Sequence, residues 1–281
     1  MTADRDREIA RMTVEPSMPM AKPSQAWLSA SDVEIATVPF DAPWEWLGAG
    51  WRDLTGAPQA GLPYGAAFAA VALALLIGLA QIGLVSIMLA LCGGFLLIAP
   101  LVAVGLYDIS RRLERGEPVA FGDALTAGLN APGQLSFFGV ALAFAFGAWL
   151  QLALLLFMLF QGGRGFPPLA EFMPMLLFTN HGLGLLVVGT SIGGLIAAVV
   201  FSVSAVAVPL LMDRRVDAVT AMAVSARVVL ANPKPMALWA ALIAGFMVLG
   251  IASMLIGFVV IFPLIGHATW HCYRNTVRFK A

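Results

Sequence analysis

The chain has 281 residues, of which 60% are hydrophobic and 11% charged, and its mean hydropathy is +0.89. A soluble domain runs at about 45–50% apolar and about 25% charged, so most of these apolar side chains must face a bilayer rather than water. The 16 basic and 16 acidic residues balance, which excludes a basic nucleic-acid binder and an acidic disordered protein. The two cysteines, Cys92 and Cys272, lie in separate apolar stretches and exclude a disulfide framework.

Residues 1 to about 39 are polar and aperiodic, and read as a disordered cytoplasmic tail. No apolar run follows the early arginines, so this is not a signal peptide. Asp41, a candidate helix cap, opens a short segment in which Trp44, Leu47, Trp51 and Leu54 form one helix face and which ends at Ala57-Pro58. Two apolar stretches follow, Leu62–Gln81 and Leu84–Tyr107. Each is near the ~20 residues that cross a hydrocarbon core, and the missing polar linker predicts a tight hairpin. A second short segment carries Phe121, Ala124, Leu125 and Leu129 and ends at Ala131-Pro132. The span Leu135–Phe160, a sizeable external loop with a solvated His181, and the span Gly184–Met212 come next. A third segment, capped by Asp217 and striped by Val219, Met222, Ala223, Ala226 and Leu230, reaches Asn232-Pro233. The last spans are Met236–Ser253 and Met254–Tyr273, again a hairpin.

The predicted class is therefore an all-α polytopic membrane protein with six transmembrane helices, residues 40–281 forming the membrane domain. In this arrangement all of the 16 basic residues except Arg164 fall on one side. Positive charge concentrates in cytoplasmic loops, which puts both termini in the cytoplasm. A five-span or seven-span count would spoil that partition.

The chain also repeats itself. Gly94-Phe-Leu-Leu-Ile-Ala-Pro100 parallels Gly257-Phe-Val-Val-Ile-Phe-Pro263, Arg111 and Arg274 follow at the same offset, and Pro209-Leu-Leu is a third relative. The unit is a short cytoplasmic interfacial helix, a proline break, an outward span and a return span with an internal proline. Three units cover about 41–112, 119–215 and 216–275.

Four runs carry a family resemblance: Asp41-Ala-Pro-Trp-Glu-Trp-Leu-Gly-Ala-Gly-Trp-Arg-Asp53, Ala99-Pro-Leu-Val-Ala-Val-Gly-Leu-Tyr-Asp-Ile-Ser-Arg-Arg112, Asp217-Ala-Val-Thr-Ala-Met222 and Gly266-His-Ala-Thr-Trp-His-Cys-Tyr-Arg274. From about residue 33 onward the chain resembles the predicted bacterial integral membrane family catalogued as domain of unknown function 2189. The resemblance implies a bacterial inner-membrane protein and brings no activity, substrate or catalytic residue with it.

The six spans contain no Asp, Glu, Lys or Arg, which argues against a proton-coupled pump or voltage sensor. Phosphate-binding and dinucleotide glycine fingerprints and the metalloprotease His-Glu-x-x-His pattern are absent. Gly189-Thr-Ser-Ile-Gly193 and the Ser253/Gly257 pair are helix-packing steps, within the bundle or on a homo-oligomer face through Gly189 and Gly193. Gln151, mid-span, needs a hydrogen-bond partner on another helix. His267 and His271, one turn apart beside Trp270 and Tyr273, read as part of an aromatic belt at the interface. As an alternative they are ligands of a transition metal or haem, with Asp108 the best third metal donor. The functional expectation is a non-enzymatic protein without a cofactor. It would handle or sense a neutral or amphipathic small molecule or lipid, or act as a membrane scaffold. The alternative is a metal- or haem-binding redox subunit using His267 and His271.

Overall fold

Pro58, Pro132 and Pro233 each begin a long helix, at the position where a missing N–H breaks no helical hydrogen bond. They do so in a computed structural model that describes residues 27–84, 87–130, 132–162 and 167–280. In chain order the elements are β1 (Val33–Ile35), α1 (Ala42–Gly56), α2 (Pro58–Gln81), α3 (Met88–Val102), α4 (Val104–Glu114) and α5 (Phe121–Thr126), the last extended by a 3-10 turn at Ala127–Asn130. Then come α6 (Pro132–Gln161), α7 (Leu169–Phe178), α8 (Asn180–Ser204), α9 (Ala207–Asp213), α10 (Ala218–Ala231), α11 (Pro233–Ala252), α12 (Phe258–Thr276) and β2 (Val277–Phe279).

This is an all-α polytopic membrane protein. Among the described residues five helical runs are long and apolar enough to cross a bilayer: Pro58–Gln81, Met88–Glu114, Gly133–Gln161, Asn180–Asp213 and Pro233–Ala252. The stretch expected as the sixth span, helix α12, is not among them. Its second half carries His267, His271 and Arg274, and these polar groups turn toward α1 and α4 rather than outward. Those polar side chains lower its hydropathy while finding their partners inside the bundle.

The short segments before the proline breaks are helical, but their apolar residues divide between two faces. In α1 the residues packed inward are Trp46, Leu47, Gly50 and Leu54, while Trp44 and Trp51 are exposed. In α10, Ala221, Val224 and Val228 are buried and Val219 and Leu230 exposed. The predicted stripes thus lie partly or wholly on the outer face. Asp217 caps α10 through the Thr220 amide at 2.9 Å, and hydrogen bonding from the Thr220 side chain and then its amide holds the Asp217 carboxyl below the ordinary carboxylate range. Asp41 makes no such bond; α1 starts instead with Pro43 at its second position.

Two further expectations are corrected. Residues 27–39, read as the end of the disordered tail, are ordered: β1 pairs antiparallel with β2, Val33 opposite Phe279 and Ile35 opposite Val277. Arg227 and Asn232 bind the backbone carbonyls of Ala30 and Ala36 at 2.7 and 3.0 Å. Residues 1–26 of that tail lie outside the described residues. The loop expected between the third and fourth spans contains helix α7, and Thr179 caps α8 through the Gly182 amide at 3.0 Å. His181 is therefore an exposed residue in the first turn of α8 rather than a loop residue.

The densest packing lies at the strand end of the bundle. Trp46, Trp239, Trp270, Tyr107 and Tyr273 are fully buried there, with Trp46 edge-on to Trp239 at a centroid distance of 5.7 Å. By contrast α2 and α6 expose long apolar faces, including Leu75, Phe144 and Leu159, as helices surrounded by lipid do.

Candidate functional site: a cavity between two broken helices

Two of the long helical runs are interrupted near the buried end. At Ala103, between α3 and α4, the Val102 carbonyl accepts from the Tyr64 hydroxyl at 2.6 Å. At Ala205–Val206, between α8 and α9, the break precedes Pro209, which has no N–H to return to the Ala205 carbonyl. Ser225 of α10 bridges this gap: its hydroxyl donates to the Ser202 carbonyl at 2.9 Å and accepts from the Val206 amide at 3.3 Å. One hydroxyl so replaces the helical bond lost between residues 202 and 206. Ser225→Ala is expected to leave both backbone groups buried and unpaired, lowering stability by about 1–3 kcal/mol, measurable as a fall in melting temperature in detergent.

Both breaks face one cavity of about 570 Å³. Pro100, Ala103 and Tyr107 line it from the first break, Ser202, Ser204 and Ala205 from the second, Ala237 and Ala240 from α11, and Phe262 and Thr269 from α12. A second cavity of about 500 Å³ between α3, α6, α7 and α8 shares the wall formed by Leu96, Leu97, Gly194, Ala197 and Ala244. Neither lining contains Asp, Glu, Lys, Arg or His. The hydroxyls of Ser202 and Thr269 donate to their own helices, at the Ala198 and Ile265 carbonyls. The walls therefore offer shape and apolar surface and few free hydrogen-bonding groups.

The charged residues gather beside the cavity, where α4, α9 and α12 end. Asp108 is buried and pairs with both Arg111 and Arg112. Arg111 also donates to the Met212 carbonyl at 2.8 Å, closing the end of α9. Asp213 accepts from the Tyr273 hydroxyl at 2.8 Å and pairs with Arg115 at 3.2 Å. Glu114 pairs with Arg274 at 2.8 Å and accepts from the Trp270 indole at 3.1 Å. Arg214 lies over the Phe279 ring, 4.4 Å from its centroid, and so fastens β2 to the same cluster.

The two histidines belong to this packing and not to an interfacial belt. His267 is buried, its Nδ1 hydrogen-bonded to Ser110 Oγ at 2.8 Å, and its Nε2 faces Gly61 of α2 and has no partner among the described residues. His271 is half-buried and donates from Nε2 to Asp53 of α1 at 2.8 Å. Trp270 and Tyr273, expected in the belt, are also buried. Asp108, the expected third donor, is taken up by its two arginines. Among the described residues no three of His, Cys, Asp and Glu gather as a metal site would require.

The two glycines of the Gly189-x-x-x-Gly193 step part company. Gly193 packs under Trp149 of the same chain, whereas Gly189 faces open space. Close backbone approaches occur at Gly65 of α2 and Gly50 of α1, and at Gly182 of α8, whose β-carbon would lie 2.1 Å from the Met175 carbonyl oxygen. A β-carbon on Gly65 would lie 2.2 Å from the Val259 carbonyl oxygen, and one on Gly50 would lie 2.7 Å from the Ala268 amide. Gly61-x-x-x-Gly65 is readable in the sequence as the same spacing, but nothing there distinguishes it from Gly189-x-x-x-Gly193. Gln151 is exposed on α6 and forms no hydrogen bond to another helix among the described residues.

Helical runs of this length and apolarity, and broken helices around an apolar cavity, define an α-helical integral membrane protein. Residues 87–213 match the family described as predicted integral membrane protein (DUF2189). That segment holds both helix breaks and the Ala99–Arg112 run. The quoted runs at Asp41–Asp53, Asp217–Met222 and Gly266–Arg274 lie outside it. No curated protein and no solved structure matches the chain.

Proposed function

We propose that the protein binds a lipid, or another neutral or amphipathic molecule, in the cavity between its two broken helices, and senses or handles it without chemical change. The observation that carries this reading is a cavity of about 570 Å³, free of Asp, Glu, Lys, Arg and His, at which both helix breaks meet. Its volume lies in the ~300–1,000 Å³ range of small-molecule sites. Irregular backbone at membrane depth is tolerated where it is buried or lines a cavity, and interrupted helices mark the binding sites of many membrane proteins. A wall without charge suits hydrocarbon far better than an ion.

The topology proposed with it is six crossings of a bacterial inner membrane with both ends in the cytoplasm. The antiparallel pair β1–β2 joins the two ends of the described chain, which supports an even number of crossings between Ile35 and Val277. Five runs qualify by hydropathy; α12, at 19 residues about 28 Å long, is the sixth. The distribution of basic residues supports the cytoplasmic side for both ends. The exposed Trp44, Trp51, Leu125, Leu129, Val219 and Leu230 support interfacial placement of α1, α5 and α10, all too short to cross. Three repeats remain part of the proposal, supported by the three proline-led helices. The third departs from the pattern, since α12 runs unbroken through Pro263.

Native mass spectrometry of the protein released from membranes in mild detergent tests the ligand reading. Wild type is expected to carry one lipid-sized molecule. Ala240→Trp, which fills the cavity, is expected to lose it while keeping the same helical content. A ligand-free wild type, or equal retention by the variant, would contradict the proposal.

A further inference from the structure

Gln151 lies within α6, 10 residues before its end at Gln161 in a helix of 30 residues. At ~1.5 Å per residue that places it about 15 Å from one end and about 28 Å from the other, inside a hydrocarbon core of ~30 Å. Its side chain points away from the bundle. The opposite face of α6 fixes this orientation: Trp149 donates to the Ala90 carbonyl at 2.8 Å and covers Gly93 and Gly193, and Phe146 covers Gly94. α6 therefore cannot rotate Gln151 inward without giving up those contacts. An amide facing lipid has no water to bond, and such a group is costly unless another helix supplies a partner.

The surface around Gln151 is shaped for close approach. Ala143, Gly147 and Gln151 follow one another at intervals of four on the same exposed ridge, with Ala148 beside them. A β-carbon on Gly147 would meet nothing within 4 Å, so none of the described residues uses the gap. Small residues at this spacing let two membrane helices approach, and a nearby amide adds an interhelical hydrogen bond. An amide is both donor and acceptor. A second copy related by a two-fold axis brings the same amide to the same depth and satisfies both at once.

We propose that the protein self-associates through α6, with Gly147 at the crossing point and the Gln151 amides hydrogen-bonded between copies. This surface is separate from the cavity and from the Gly189/Gly193 face of α8.

The test uses the full chain in vesicles of phosphatidylethanolamine and phosphatidylglycerol over a series of lipid-to-protein ratios. Oxidation of Ala148→Cys is expected to give a covalent dimer, whereas Gly189→Cys and the wild type, with only Cys92 and Cys272, give none. Gly147→Ile, at a position open in the single chain, is expected to abolish the dimer. Gln151→Leu is expected to weaken association about tenfold, the order expected for loss of interhelical hydrogen bonds, and Gln151→Asn, which keeps the amide, to retain most of it. A monomer at every ratio, cross-linking through Gly189→Cys as strong as through Ala148→Cys, or association unchanged in Gln151→Leu would overturn the proposal.

Discussion

Replacing Asp108 with leucine is expected to destabilise the protein by about 3 kcal/mol, because it removes one partner of a buried ion pair and leaves the others uncompensated. The carboxylate is buried and faces two guanidinium groups, with Arg112 at 2.8 Å. The side chains of Arg111 and Arg112 are 16% and 26% exposed, so water recovers only part of the loss. Arg111 already has a buried Nε without a partner among the described residues, and its remaining bond to the Met212 carbonyl would loosen with the ion pair. The expected readout is a large fall in melting temperature in detergent. Asp108→Asn, which keeps the shape and some hydrogen bonding, should fall less. If the two variants are equally stable to wild type, the pairing contributes nothing.

Gly65→Ala is expected to cost a comparable amount, about 2–3 kcal/mol, through overpacking. The added carbon would stand 2.2 Å from a backbone oxygen of α12 and 2.9 Å from Pro263 Cδ. A backbone atom next to a proline ring cannot step aside as a flexible side chain can, so α2 and α12 must separate and take His267 and Ser110 out of register. Gly78→Ala on the same helix, where a β-carbon meets nothing, is the control and should be neutral or slightly stabilising. Melting temperatures of the two variants side by side separate helix propensity from interhelical contact.

The starts of α2, α6 and α11 were readable from Pro58, Pro132 and Pro233, and the long apolar runs from composition, because both are local properties of the chain. The interruption near Pro209 follows from its missing N–H, but the relay through Ser225 depends on a residue from a neighbouring helix that no local pattern points to. The same holds for the polar network. His267 and His271 were visible as a pair at helical spacing, yet their partners, Ser110 and Asp53, are 157 and 218 positions away, and Asp108 was drawn toward the histidines when its arginines sit three and four residues on. The strands β1 and β2 have three residues each, too few to show an alternating pattern. Helix α12 is legible as a helix from its length and apolar first half, but its polar half, satisfied from within, keeps it out of the runs that qualify as spans by hydropathy.

The even number of crossings is the claim on which the rest depends, because it sets which end of the cavity and which face of α1, α5 and α10 meet the cytoplasm. Fusions of a reporter enzyme active only outside the cytoplasm test it directly, one placed after Ala281 and one between Gly162 and Pro168. Six crossings predict no activity from the carboxyl-terminal fusion and full activity from the internal one. Activity at the carboxyl terminus would mean an odd number of crossings and would contradict the account.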